Sequence, residues 1–303
     1  MREYKYKLSI CVATMNRAGQ LTEALESCLA CALPDKTEFV IIDNASTDET
    51  ADAVRQTLND SGYDYYYEKL PQNIGAGKGR CFYYTKAQGA YVFGFDDDAL
   101  IDCQHCPDFF MRAIELLDEN TDISILATQV YDRAWKANRQ EIYGKQRSNG
   151  LYACYMFCGG SHFLRKSFFG DVPPYLSNSY GYEELPPSLI AADHRGIALC
   201  ADLTVIHNPK QNKWDYTKKE NVEILIMYCA APYAIKQMMY PVVAHGLLKA
   251  LYCVRKRKYL ASAADRKRAD LMVKEIRDKC RIKYRIRLKT LLALVADFGK
   301  TAL

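Results

Sequence analysis

A chain of 303 residues in which 49% are hydrophobic and 25% charged can fill one large or two modest packed domains, which excludes a disordered protein. Its net charge of +5 is unevenly placed: residues 253–290 carry 15 Lys/Arg against 4 Asp/Glu, a local +11 that leaves −6 for everything else. The basic character belongs to the C-terminal region, while the −6 of the remainder and the lack of any recognised nucleic-acid motif argue against a nucleic-acid partner.

Residues 8–14 (LSICVAT) form a near-continuous apolar run of strand length. A polar turn at Asn16, Arg17, Ala18 and Gly19 follows, then helical periodicity in Leu21, Ala24, Leu25, Cys28 and Leu29, so the chain opens as a βαβ unit. Residues 39–42 read as a second buried strand ending in Asp43. Ser46 and Glu49 then have the spacing of a capping box for a helix with Val54 and Leu58 on its inner face. A third strand is predicted at 63–67. The stretch from Pro71 through Asn73, Gly75, Gly77 and Lys78 to Arg80 opens a helix running to about Gln88. Its glycines permit close approach of backbone to a ligand, and Lys78 and Arg80 can face phosphate at a helix N-terminus. A plain loop accounts for the glycines equally well, and the spacing is not that of a Walker A motif.

Residues 91–95 (YVFGF) are an apolar strand that delivers Asp96, Asp97 and Asp98 at its C-terminal end, where open α/β sheets bind their ligands. Three adjacent carboxylates repel one another and call for a cation; hard oxygen donors suit Mg²⁺ or Mn²⁺, the alternative being a solvated acidic turn. Pro107 is placed to begin a helix carrying Phe110, Ile114 and Leu117, and residues 123–130 form one more strand. This alternation predicts an α/β fold with a doubly wound, mostly parallel, Rossmann-like sheet.

The pattern then changes. Residues 131–150 are polar and read as a loop or edge hairpin, and 154–158 as a strand breaking into a turn at Gly159 and Gly160. A helix-like stretch carries Leu189, Ile190 and Ala192, and 197–201 and 204–207 look like two short strands. The chain accordingly divides into an α/β region (1–130), a second lobe on the same sheet (131–215) and a helical basic extension (216–303). In that extension clusters such as Arg255 to Lys258 alternate with Leu271, Ile276, Ile286 and Leu291. Basic helices with an apolar stripe can lie on an anionic membrane surface, or pack on the core or on a second subunit of an oligomer. No uncharged apolar run reaches the ~20 residues of a membrane span. Twelve cysteines in apolar patterns, with no signal peptide ahead of them, fit the reduced thiols of a cytoplasm. Of the two C-x-x-C spacings, Cys28/Cys31 falls on the apolar face of the first helix, so buried thiols are expected there in preference to zinc.

Taken in order, the segments 9–17 (SICVATMNR) and 42–48 (IDNASTD), Asn73-x-Gly75 with Arg80 after it, Asp96-Asp97-Asp98, the Gly159-Gly160 turn, the acid pair Glu183-Glu184 heading a helix, and His207 after a late strand resemble the GT-A nucleotide-sugar glycosyltransferases. The likeness is to their large inverting, bacterial-type family, the family 2 glycosyltransferases. It implies that Ala13, Thr14, Arg17 and Asp43 line the nucleotide pocket, with the Asp43 carboxylate taking a base N–H. Asn73, Gly75 and Arg80 would stand near the donor, and Asp96 or Asp97 near its ribose and sugar. Asp98 would be the principal ligand of a Mn²⁺ or Mg²⁺ ion, with Asp96 and His207 as further ligands; a strand-end histidine satisfied by backbone is the other reading of His207. Glu184 would be the catalytic base, with Glu183 and Asp193 as the alternative acids for that role. The chain departs from the family in having Glu-Glu for Glu-Asp, in Pro186-Pro187 just after it, and in Ile190 near the place of the usual arginine.

The resemblance implies an inverting transferase, UDP-sugar favoured as donor, acting on a hydroxyl of a glycan or lipid-linked acceptor in cell-surface polysaccharide synthesis. It would be cytoplasmic or peripheral on the inner face of the membrane. A nucleotidyltransferase that makes nucleotide sugars would carry a Gly-rich basic signature after its first strand, where this chain has only Asn16-Arg17-Ala18-Gly19. An inactive sugar-binding protein on the same fold would be expected to lack one of Asp43, Asp96, Asp98 and Glu184, and all four are present.

Overall fold

The computed structural model describes residues 3–139, 144–147, 150–209, 221–280 and 282–303; the boundary expected near 215 and the basic residue Arg281 lie outside the described residues. Strand and helix alternate as the apolar runs dictate: β1 (Tyr6–Thr14), α1 (Ala18–Leu29), β2 (Thr37–Asp43), α2 (Thr50–Leu58), β3 (Asp64–Lys69), α3 (Ala76–Lys86) and β4 (Gly89–Asp96). There follow β5 (Ala99–Ile101), α4 (Phe109–Glu119), β6 (Ile125–Asp132), β7 (Ala137–Asn138), β8 (Leu151–Ala153), β9 (Ser161–Arg165), α5 (Lys166–Phe169), α6 (Leu185–Asp193) and β10 (Ile197–His207). The C-terminal helices are α7 (Val222–Met239), α8 (His245–Tyr259), α9 (Ala263–Lys279) and α10 (Leu288–Phe298).

One sheet runs β3-β2-β1-β4-β9-β6-β10-β5, with β7 added beside β6 and β8 beside β10. The blocks β3-β2-β1-β4 and β6-β10 are parallel, and β9 joins them as an antiparallel strand between β4 and β6. Parallel strands are covered on both faces, which is why β2 is buried at every residue. One face packs α1, α2 and α4 around Phe93, which pairs with Phe163 across β4/β9 at a ring separation of 4.5 Å. The other face packs α3, α6 and α7. Each such fully buried side chain contributes roughly 1.5–3 kcal/mol relative to exposure.

Several local expectations are corrected. Residues 154–158 are not a strand; the strands lie on either side, as β8 and β9, and the segment between them crosses the open end of the sheet. The two short strands near 200 are one strand, β10, with a register shift between Cys200 and Thr204. The capping box at α2 does not form: the Ser46 hydroxyl accepts from Asn16 N at 2.8 Å, and Asp48 Oδ1 accepts from Thr50 N at 3.2 Å instead. All twelve cysteines are free thiols, and burial, with Cys103 and Cys106 nearby, pushes the Cys31 thiol up to about 12.

The basic extension is tied to the sheet. Buried Asp193 accepts from Tyr284 Oη at 2.7 Å and Arg287 N at 3.0 Å, and Ile286 N donates to Met239 O at 2.8 Å. Ile276, Ile286 and Leu291 join the core, so much of the apolar stripe read in this region faces inward. Among the described residues no helix is long and apolar enough to cross a membrane.

Candidate active site

Parallel pairing brings the C-terminal ends of several strands to one edge. The register sets Ala13 beside Asp96 and Thr14 beside Asp43, and across β6/β10 it sets His207 beside Asp132. Beyond these ends opens a cleft of about 870 Å³, of the size that takes a small organic ligand. Ala13, Thr14, Arg17, Asn73, Gly75 and Arg80 line it, as do Asp96, Asp97, Asp98, Glu184 and His207. Asp43 does not reach the lining: its carboxylate is fully buried, accepting from Ser46 N and Tyr67 Oη at 2.7 Å each, and the buried Asn44 lines the cleft at that strand end.

The three consecutive acids have three different partners. Asp96 accepts from Arg80 Nη2 at 2.5 Å, and the buried Arg80 also donates through Nε to Glu183 Oε1 at 3.2 Å. Asp97 accepts from Thr14 Oγ1 and from Arg17 Nη1, each at 2.7 Å; burial still pushes its carboxyl up to about 6. Asp98 accepts from the same Arg17 nitrogen at 2.7 Å and faces His207 Nε2 at 3.4 Å, and these two partners, His207 first, hold its carboxyl below the usual range against the opposing effect of burial. Asp98 and His207 are thus the metal-ligand candidates that meet, whereas Asp96 is turned to Arg80.

The other ring nitrogen of His207, Nδ1, lies 3.0 Å from Asp132 Oδ2. A carboxylate behind an imidazole fixes its tautomer and presents the far nitrogen to a metal. Asp98 and His207 therefore bring one carboxylate oxygen and one imidazole nitrogen to the same point, a donor pair that would suit a divalent ion. Among the described residues no group of three or more His, Cys, Asp or Glu is arranged to enclose a metal by itself. Asp132 was missed by sequence reasoning, although it shares the signature of Asp43 and Asp96, an acid closing an apolar strand.

The opposite wall is built by the turn between 153 and 161 and by the head of α6. Gly160 packs so closely that a Cβ there would stand 2.7 Å from Asp96 Oδ2. Glu184 lies at the start of α6, which tolerates prolines in its first turn because those N–H groups have no intrahelical partner. Burial, and secondly the charge of Glu183, push the Glu184 carboxyl up to about 8. Asp193, at the other end of α6, anchors the C-terminal segment and does not enter the cleft. Tyr155, Met156, Met227 and Phe298 give the far end of the cleft an apolar, aromatic lining, supplied partly by α7 and α10. Gly75 closes the near end with φ +87, where Ser179 O leaves no room for a side chain.

The mixed sheet with acids at the strand ends, the cleft beyond them and the C-terminal helices match solved GT-A glycosyltransferase structures in fold. Residues 9–172 match the family described as glycosyl transferase family 2, more than half of the chain, and the protein belongs to that family. An uncharacterised protein of Haemophilus influenzae is 26% identical over 168 residues, covering 54% of this chain and 89% of its own length. Among solved structures, S. aureus TarS residues 1–349 in complex with UDP-GlcNAc superposes with a TM-score of 0.64 at 16% identity, covering 90% of this chain and 81% of that one. A mannosyltransferase from Pyrobaculum calidifontis in complex with GDP-Man and Mn²⁺ gives a TM-score of 0.57 at 18% identity, covering 99% and 78%.

Proposed function

We propose that this transferase is an inverting enzyme that moves a sugar from a nucleoside diphosphate sugar, UDP-sugar favoured, to a hydroxyl of a glycan or lipid-linked glycan in cell-surface polysaccharide synthesis. The observation that carries the reading is the placement of Glu184, an acid of raised pKa, in the same cleft as the Asp98–His207 pair. Glu184 accepts the proton of the acceptor hydroxyl as that oxygen attacks the anomeric carbon. A carboxylate whose pKa lies near the working pH is a better base than an ordinary glutamate. One base and a single displacement invert the anomeric configuration.

Asp98 and His207 would hold Mn²⁺ or Mg²⁺, and the nitrogen ligand favours Mn²⁺. When bound, the ion supplies charge neutralisation to the departing diphosphate. Arg17 counters the charge of Asp97 and Asp98 and stands beside the same leaving group. Arg80 fixes Asp96 and Glu183 together in the wall of the cleft. The Asn44 amide, whose buried Oδ1 has no hydrogen-bond partner among the described residues, is suited to the nucleobase in the place expected for Asp43.

The apolar far end of the cleft suits stacking against an acceptor sugar or the start of a lipid carrier. An enzyme with that acceptor works in the cytoplasm at the inner face of the membrane, with the basic C-terminal region toward anionic lipid. A thermal-shift panel of nucleotide sugars with and without Mn²⁺ tests the donor assignment, since a ligand of the native state raises its stability by mass action. A metal-enhanced shift with one UDP-sugar is expected, and no shift with any nucleotide sugar would overturn the reading.

A further inference from the structure

The face of α8 turned away from the protein is apolar. Val243, Leu247, Leu251 and Val254, spaced by four, four and three residues, lie along one stripe from the turn before α8 through most of its length. Their exposures are 75, 49, 38 and 66%. The inner face is a different set: Leu248 and Tyr252 are buried, with Tyr252 stacked on Tyr233 of α7 at 4.3 Å. A surface helix normally gives its outer face to charged and polar residues, so this helix has a second apolar face that the described residues leave largely uncovered.

Charge decides what could cover it. The stripe runs into exposed Arg257 and Lys258, at the start of the segment that carries the local +11. A second copy on this stripe would add further cations to a basic face and leave Arg257 and Lys258 without counter-charge, whereas an anionic surface would neutralise them. In the later segments Ile276, Ile286 and Leu291 are buried, and the exposed Leu271, Leu288 and Leu292 are divided between α9 and α10, so the four-residue stripe of α8 is the longest on one helix face among the described residues.

We propose that α8 is the membrane-docking element. Val243, Leu247, Leu251 and Val254 enter the boundary between headgroups and acyl chains, and Arg257 and Lys258 bind anionic headgroups. α7, on which α8 packs, carries Met227 into the apolar end of the cleft, so docking sets that end close to a lipid-borne acceptor. The inference rests on the reading that the basic C-terminal region meets an anionic membrane, and it is independent of which sugar is moved.

The test is flotation of the full chain with vesicles of phosphatidylcholine alone or mixed with phosphatidylglycerol, at low and high salt. The wild type is expected to float with the anionic vesicles only, more weakly at high salt. Leu247→Ser/Leu251→Ser should lower the bound fraction about tenfold or more, and Arg257→Glu/Lys258→Glu should do so at low salt, both keeping the wild-type melting temperature and donor-induced shift. The proposal is overturned if the wild type fails to float or if the serine variant floats equally well. It is also overturned if light scattering shows a wild-type dimer that the serine variant dissolves while neither floats. Donor binding is scored in the same samples: a protein that binds nucleotide sugar but does not float loses only the docking proposal. One that floats and binds no nucleotide sugar upholds docking and overturns the transferase reading.

Discussion

His207 Nε2 faces Asp98 Oδ1 across 3.4 Å while Asp132 holds the opposite ring nitrogen at 3.0 Å. The imidazole is therefore oriented from behind by a carboxylate outside the cleft lining. Replacing Asp132 by Asn keeps the size and removes the charge that sets the tautomer. Mn²⁺ affinity in the presence of UDP, followed by calorimetry, should fall ~10–100-fold with the fold retained. An unchanged affinity in Asp132→Asn, alongside a large loss in Asp98→Asn, would show that the Asp132 charge does not tune the site, and an unchanged affinity in His207→Ala would remove His207 from the ligands.

Glu184 should show itself in two pH profiles of opposite sign. As a base it must be ionised, so kcat/KM should rise with pH and level off above about 8. Stability runs the other way. The unfolded side chain ionises near pH ~4.3, the folded one only at about 8, so through that window the native state keeps a proton that the unfolded state has lost. Stability therefore falls as pH rises between those values. Glu184→Gln should lower turnover by ~10²–10⁴ and raise the melting temperature by an amount that grows up to about pH 8. Near-normal transfer by this variant would move the base to Glu183.

The alternating half of the fold was legible because buried parallel strands and amphipathic helices write their periods directly into the sequence. What was not legible depended on contacts remote in sequence. Nothing local says that β9 inserts antiparallel between β4 and β6, or that Asp132 meets a histidine 75 residues later. Asp43 looked like a pocket residue because it ends a strand, yet Tyr67 of the neighbouring strand covers it and the next residue reaches the cleft. Ser46 matched a capping box, but its hydroxyl is consumed by the turn after β1, a competitor that no window around α2 contains. The apolar stripe of α9 and the segment after it was visible, whereas its inward direction was set by Asp193 gathering Tyr284 and Arg287.

Arg80 carries a structural burden as well as a place in the cleft. Its guanidinium is the shared partner of Asp96 and Glu183, and the arginine and Glu183 are both over nine-tenths buried. Arg80→Met leaves two acids without their counter-charge and should cost ~3–5 kcal/mol in denaturant unfolding. Adding Glu183→Gln removes one of the stranded charges. The double variant should recover part of the loss, with a coupling of ~0.5–3 kcal/mol. Strict additivity would mean that the two side chains do not interact in solution.

Gly159 and Gly160 look interchangeable in the sequence and are not so in space. A Cβ on Gly160 would stand 2.7 Å from Asp96 Oδ2, whereas one on Gly159 would meet Arg80 Nη2 at 3.4 Å, an ordinary contact. Asp96 cannot simply retreat, because Arg80 holds its other oxygen at 2.5 Å and its backbone N donates to Gly160 O at 3.1 Å. Gly160→Ala should therefore displace the carboxylate from the donor side of the cleft and lower kcat/KM by up to ~10²-fold, the penalty of misplacing a positioned group by about an ångström. Gly159→Ala should stay within about twofold of wild type, a contact of that length needing no rearrangement. Steady-state transfer by the two variants compares them directly, and equal losses in both would mean that the turn, and not its contact with Asp96, is what the reaction requires.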